Sequence, residues 1–244
     1  MTGLYVKNGV TGIQIIKQMR HSLITIKKID EINDMDNNEF KNFMSDFKFV
    51  IIGGSKYNLD FEGLTTNTQI TANIDVVKYC EKHDIPLFGI GFGCQIIAFT
   101  YGMSIKKLDD PYFGPGNISL ENIKNSSINN YKFFKKFNWD LIINAFCYDS
   151  NIITNTTNTD INVIVETNNN TPFVIKHNKK HIYGIHSHPD IDSMTGIIFL
   201  GSLDVKTKLG RELLDNSEMY LNISTHFINT LISSLINVPN LQNT

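Results

Sequence analysis

Two segments of this chain carry residue types that could do chemistry together. Residues 86–95 read Pro-Leu-Phe-Gly-Ile-Gly-Phe-Gly-Cys-Gln, an apolar strand running into a glycine-flanked turn that opens a helix. Such a strand–turn–helix is a nucleophile elbow, a bend tight enough to expose its apex residue to a substrate. About a hundred residues later, Ile182-Tyr183-Gly184-Ile185-His186-Ser187-His188-Pro189-Asp190 ends a second strand in a histidine and a carboxylate. An imidazole aligned by a carboxylate beside an activated apex is the arrangement for acyl transfer. The apex, however, is Gly91, which has no side chain to attack with. A base and an orienting acid are present, and the attacking atom is not.

The elements that must position these residues follow from periodicity. Leu4–Lys7, Leu23–Ile29, Phe47–Ile52 and Ile85–Ile90 read as strands. Helical spacing runs through Ile13–Met19, Asp36–Asp46, Thr68–His83 and Cys94–Tyr101, the last closed by Gly102. Fourfold alternation of strand and helix predicts an α/β fold, an open and mostly parallel sheet flanked by helices. Ligands in such sheets sit beyond the carboxyl ends of the strands, where Gly53-Gly54 and Gly89–Gly93 both fall. Between residues 105 and 190 the pattern shifts to an additional antiparallel lobe, with strands expected at Asp140–Phe146, Asn162–Glu166, Phe173–His177 and His181–His186. Ser150–Asp160, with Asn and Thr at most positions, is expected to be a solvated loop. The Tyr131–Phe137 cluster and Trp139 read as core or a covered edge, Glu218–Ile236 as a closing helix, and 238–244 as a polar tail. No internal repeat or linker divides residues 1–244, so a single domain is expected.

Composition narrows the partners. The chain has 244 residues, 41% hydrophobic and 19% charged, with a formal net charge of −2. Only Arg20 and Arg211 among its 22 basic residues are arginines, too few forks for phosphate or base recognition, so nucleic acid is not an expected partner. No apolar run approaches a membrane span and the N-terminal residues lack a signal-peptide core, so a cytoplasmic location without membrane contact is expected. Three scattered cysteines, Cys80, Cys94 and Cys147, make no disulfide framework.

The elbow, the Gly-Gly loop and the strand-borne His-Pro-Asp resemble, in order and separation, the class I glutamine amidotransferase domain found in GMP synthetase, anthranilate synthase and CTP synthase. That family has Gly-x-Cys-x-Gly-x-Gln at its elbow, and this chain has Gly89-Ile90-Gly91-Phe92-Gly93-Cys94-Gln95. It has Gly-Val-Gln-Phe-His-Pro-Glu on a late strand, where Gly184-Ile185-His186-Ser187-His188-Pro189-Asp190 stands here. Its Ser-His-Gly-Asp segment is echoed only faintly by Phe146-Cys147-Tyr148-Asp149. The resemblance runs from Leu4 to Phe199 and implies a flavodoxin-like amidotransferase fold. It implies that Gly91 stands at the nucleophile position, His188 at the base and Asp190 at the acid that orients it. It also implies substrate-binding roles for Gly53, Gly54 and the Phe92 amide around the oxyanion, and for Gln95 on the ligand. No cofactor follows from it, and the implied partners are glutamine or a γ-glutamyl compound and a synthase subunit in trans.

Gly91 weighs most against glutamine hydrolysis, because an oxyanion hole and binding alone supply only roughly 10³–10⁴-fold over water. Asp190 in place of Glu is one methylene short. Cys94 lies one helical turn from the apex, with its Cβ directed along the helix face, and reads as a buried helix cysteine. His186-x-His188-x-Asp190 has the period of a metal site, but Pro189 interrupts the strand and no metal is expected. The expected function is an amidotransferase-like binding or regulatory subunit without glutaminase activity. The two rivals are an active glutaminase or γ-glutamyl hydrolase and a scaffold without ligand.

Overall fold

The computed structural model describes residues 2–9, 12, 16–17, 23–55, 68–115, 118–154, 160–199 and 208–238. Seven strands form one sheet: β1 (Gly3–Lys7), β2 (Ile24–Lys28), β3 (Phe49–Ile52), β4 (Leu87–Ile90), β7 (Ile161–Glu166), β8 (Pro172–His177) and β9 (Ile182–Ile185). Their order is β2-β1-β3-β4-β9-β8-β7. Every pair from β2 to β9 is parallel, and β8 and β7 add an antiparallel edge. Strands β5 (Ser104–Pro115) and β6 (Phe146–Thr154) pair separately as a two-stranded antiparallel ribbon.

Side chains alternate across the sheet as period two requires. Leu4, Val6, Val50 and Ile52 face one core, while Tyr5, Phe49 and Ile51 face the other. The first core is covered by helices α1 (Ile29–Asn33), α2 (Asn37–Ser45), α3 (Thr68–Lys82) and α4 (Phe92–Thr100). Asp36 starts α2 with a capping box, its carboxylate accepting from the Asn38 and Glu39 amides at 2.7 and 2.9 Å. Short α5 (Leu120–Asn125) and α6 (Trp139–Ile142) follow, then α7 (Ser193–Phe199) and α8 (Lys208–Asp215), and α9 (Ser217–Ile236) closes the second core. Phe227, Ile228, Leu231, Ile232 and Leu235 recur along α9 at helical spacing and pack there. The aromatic cluster is core: Phe133 stacks on Tyr183 at 3.9 Å, and Phe134 and Phe137 are buried beside it.

Three expectations need correction. Asp140–Phe146 is not a strand; Trp139–Ile142 is one turn of helix and β6 begins only at Phe146. A short apolar run does not by itself distinguish the two, and here burial of Ile142 against the second core decides for helix. Residues 150–154, expected in a loop, belong to β6, with Asn151 and Ile153 buried. Val238, expected to open the tail, is fully buried in the second core. The predicted Ile13–Met19 helix lies almost wholly outside the described residues, as do 155–159 and 239–244. Among the described residues no helix is long and apolar enough to cross a membrane.

At the sheet end opposite the elbow, His177 is buried with its Nδ1 accepting from the Lys179 and Lys180 amides, both at 3.1 Å. Burial holds its imidazole below the usual value, outweighing the attraction of Glu81 and Asp160; burial, with Lys176, does the same for His181. A folded state that resists a proton the unfolded chain accepts loses stability as pH falls below the unfolded value, about 6.5. The urea midpoint is therefore expected to drop between pH 7.5 and about 5.5, before the carboxylates titrate. In His177→Asn, which keeps an acceptor for the two amides, the drop should be smaller. An unchanged pH dependence would show that this histidine is not its source.

Candidate active site

Gly91 sits between β4 and α4 with φ 53° and ψ −109°, a conformation that costs a residue with a side chain about 1–3 kcal/mol. The bend is held by Gly91 N–H donating to Ile185 O at 2.8 Å and Gln95 N–H donating to Gly91 O at 3.1 Å. Its flanking glycines are close-approach residues. A Cβ on Gly89 would lie 2.7 Å from Cys94 N, and one on Gly93 would run into the carbonyl oxygen of Ile52 on β3. The elbow therefore has the backbone of a nucleophile turn, pressed against the end of β3 where Gly53 and Gly54 follow. As the first residue of α4, Phe92 has no carbonyl one turn back to accept its N–H, which leaves a helix N-terminus suited to an anion.

His188 is brought over this apex. Its backbone N–H donates to Phe146 O at 2.9 Å, an isolated antiparallel bridge that ties the ribbon to the site. A Cβ built on Gly91 would overlap His188 Cε1 and stand 2.6 Å from Nε2 and 2.9 Å from Nδ1. The imidazole thus occupies the room that a side chain at the apex would need. Asp190 Oδ1 is 3.8 Å from His188 Nδ1, an ion-pair separation beyond hydrogen-bond reach. Asp190 is fully buried, and neither of its oxygens has a hydrogen-bond partner among the described residues. A buried carboxylate so placed is costly unless a neighbour compensates it, and among the described residues His188 stands at ion-pair distance from it.

The other named residues divide. Gln95 is buried, its Nε2 facing Asn151 O at 3.2 Å and His186 Nε2 at 3.0 Å, so its amide nitrogen is committed to the protein. Cys94 is fully buried against β9, its Sγ 2.7 Å from where a Cβ on Gly184 would be. That is the helix-face position expected for it. No group of three or more His, Cys, Asp or Glu among the described residues is arranged to hold a metal. Sequence reasoning passed over Tyr5: its hydroxyl and Asp190 Oδ2 lie 2.5 and 2.8 Å from the same point, the Cβ position of Gly12, and a Cβ on Gly53 would overlap that hydroxyl. The signal was there, since a tyrosine flanked by buried strand residues needs a place for its hydroxyl.

A family model described as glutamine amidotransferase class-I matches residues 11–199. The chain belongs to the class I glutamine amidotransferase family. It is 27% identical over 190 residues to a glutamine amidotransferase-like protein of Acanthamoeba polyphaga mimivirus, covering 77% of this chain and 76% of that one. With the glutamine-hydrolyzing GMP synthase of Plasmodium falciparum it shares 23% identity over 212 residues, 77% of this chain but 35% of that enzyme's length. The fold is similar to a glutamine amidotransferase from Thermotoga maritima, with TM-score 0.65 at 14% identity, covering 97% of this chain and 98% of that one. Within this family, the elbow at residues 89–95 and the His188–Asp190 pair lie together at the carboxyl ends of β4 and β9.

Proposed function

We propose that this chain is an amidotransferase-like protein that has lost glutamine hydrolysis and serves in a binding or regulatory role. One observation carries the reading: the apex is Gly91, and the His188 ring fills the space that the side chain of a nucleophile would need. No acyl-enzyme forms without an attacking atom, and the remaining base and anion-binding turn bind rather than cleave. The ligand is glutamine or a γ-glutamyl compound, held between Gly53-Gly54, the Phe92 amide and His188. Gln95 joins that ligand only by giving up His186 or Asn151. Residues 1–244 act as one unit in a cytoplasmic compartment, beside a synthase in trans. Homology to the GMP synthase of Plasmodium falciparum and to a glutamine-hydrolyzing GMP synthase chain of Thermoplasma acidophilum supports such a partner.

The test is ammonia release from glutamine, with and without a thiol alkylator, alongside calorimetry with glutamine. The expected result is release no faster than buffer, unaffected by alkylation, with measurable heat of binding. Turnover that alkylation abolishes would establish the chain as an active glutaminase. Absence of heat at millimolar glutamine would leave a scaffold without this ligand.

A further inference from the structure

We infer that a cavity under the β5–β6 ribbon and beside the carboxyl end of β9 is a binding site for a small uncharged ligand with an apolar body and one hydrogen-bonding head. Its volume is about 300 Å³, and neither Gly91, Gly54 nor His188 lines it. The inference goes beyond the glutamine reading and meets it only at the Gln95–His186 bond, which it takes as formed.

Two irregularities in the strand ladders frame the cavity. The β5–β6 register shifts between Lys107 and Tyr112, and the β7–β8 register shifts between Val163 and Glu166. Interrupted pairing bends a strand locally, and the lining residues Leu108 and Tyr112 flank the β5 shift while Thr167 follows the β7 one. Leu108, Ile152 and Phe173 supply an apolar wall. Cys147 and His186, each 3% exposed, form the inner end, while Tyr112, 39% exposed, stands at the mouth. A largely apolar recess with a few polar groups has the make-up of a small-molecule site.

The polar groups select the ligand. Thr167, Asn169 and Thr171 line it as well, but no Lys, Arg, Asp or Glu does among the described residues, so the two charges of a zwitterion such as glutamine would find hydrogen bonds there and no opposite charge. The form of His186 is set by its neighbour. A carbonyl only accepts, so the Gln95 group facing Asn151 O is the NH₂, and its second hydrogen goes to His186 Nε2. The His186 proton therefore sits on Nδ1. A neutral amide or phenol matches a wall of this kind: an aromatic body for Leu108 and Phe173, and a head for the imidazole or the Tyr112 phenol.

Cys147 is a built-in reporter, and benzamide is the probe. The native chain is treated with N-methylmaleimide and its three cysteines are mapped by mass spectrometry. Cys147 should label about tenfold faster than Cys80 and Cys94, both fully buried. Millimolar benzamide should slow Cys147 labelling about threefold in a saturable way, and glutamine at the same concentration should not. Leu108→Trp, at a half-buried position, should fill the recess and remove the protection without lowering the melting temperature. If Cys147 labels no faster than Cys80, if benzamide gives no protection, if glutamine protects equally, or if folded Leu108→Trp is still protected, the inference is wrong.

Discussion

Gly91→Cys is expected to create a glutaminase. A thiol would then stand beside His188 on an elbow whose backbone is already bent for it, with φ 53° at the apex and the α4 N-terminus behind. Ammonia release from glutamine should rise about 10²-fold or more above that of the unaltered chain, and alkylation should abolish it. The gain requires His188 to withdraw, because the new Cβ overlaps Cε1 and stands only 2.6 Å from Nε2. Withdrawal and the strained apex together should lower stability by at least about 1–3 kcal/mol. Asp190→Glu in the same chain should add a further several-fold, since one methylene closes the 3.8 Å gap that keeps Asp190 Oδ1 from the ring. A double variant that folds, presents a titratable thiol and still releases no ammonia would show that the pocket around the elbow has been lost along with its nucleophile.

The largest stability effect is expected at Gly93→Ala, two residues further on. There the added methyl meets the backbone of β3, overlapping Ile52 O and standing 2.9 Å from Ile52 C, so no rotamer change relieves it. Either α4 moves off the sheet or β3 shifts, and both open the first core around Ile52, Cys94 and Ile97. The loss should be about 3–5 kcal/mol, enough to leave a chain of ordinary stability partly unfolded. Gly102→Ala is the control: its φ of +86° disfavours a side chain, but nothing lies within 4 Å of the added carbon, so about 1–2 kcal/mol is expected. Urea midpoints for the two variants separate steric exclusion from backbone strain. If Gly93→Ala proved no worse than Gly102→Ala, close packing of elbow and β3 would not be what holds α4 in place.

Much of the site was legible because its signals are local. Glycines at 89, 91 and 93 announce a turn too tight for side chains, and that is a property of seven consecutive residues. Alternation of Leu4, Tyr5 and Val6, and of Phe49 through Ile52, announced strands buried on both faces for the same reason. The sequence alone therefore determined the sheet, the elbow and the absence of an attacking atom at its apex. Tertiary structure decided what those parts touch. Asn151 became a strand residue because it pairs with Lys107 of β5, 44 positions away, which no composition of Asn and Thr could announce. In the Asp140–Phe146 run, Asp140–Ile142 joined a single helical turn with Ile142 in the second core, and only Phe146 entered a strand. Only packing laid the His188 ring over Gly91 and left Asp190 short of it. Periodicity is written in neighbours along the chain, whereas these contacts join segments that meet only after the sheet has formed.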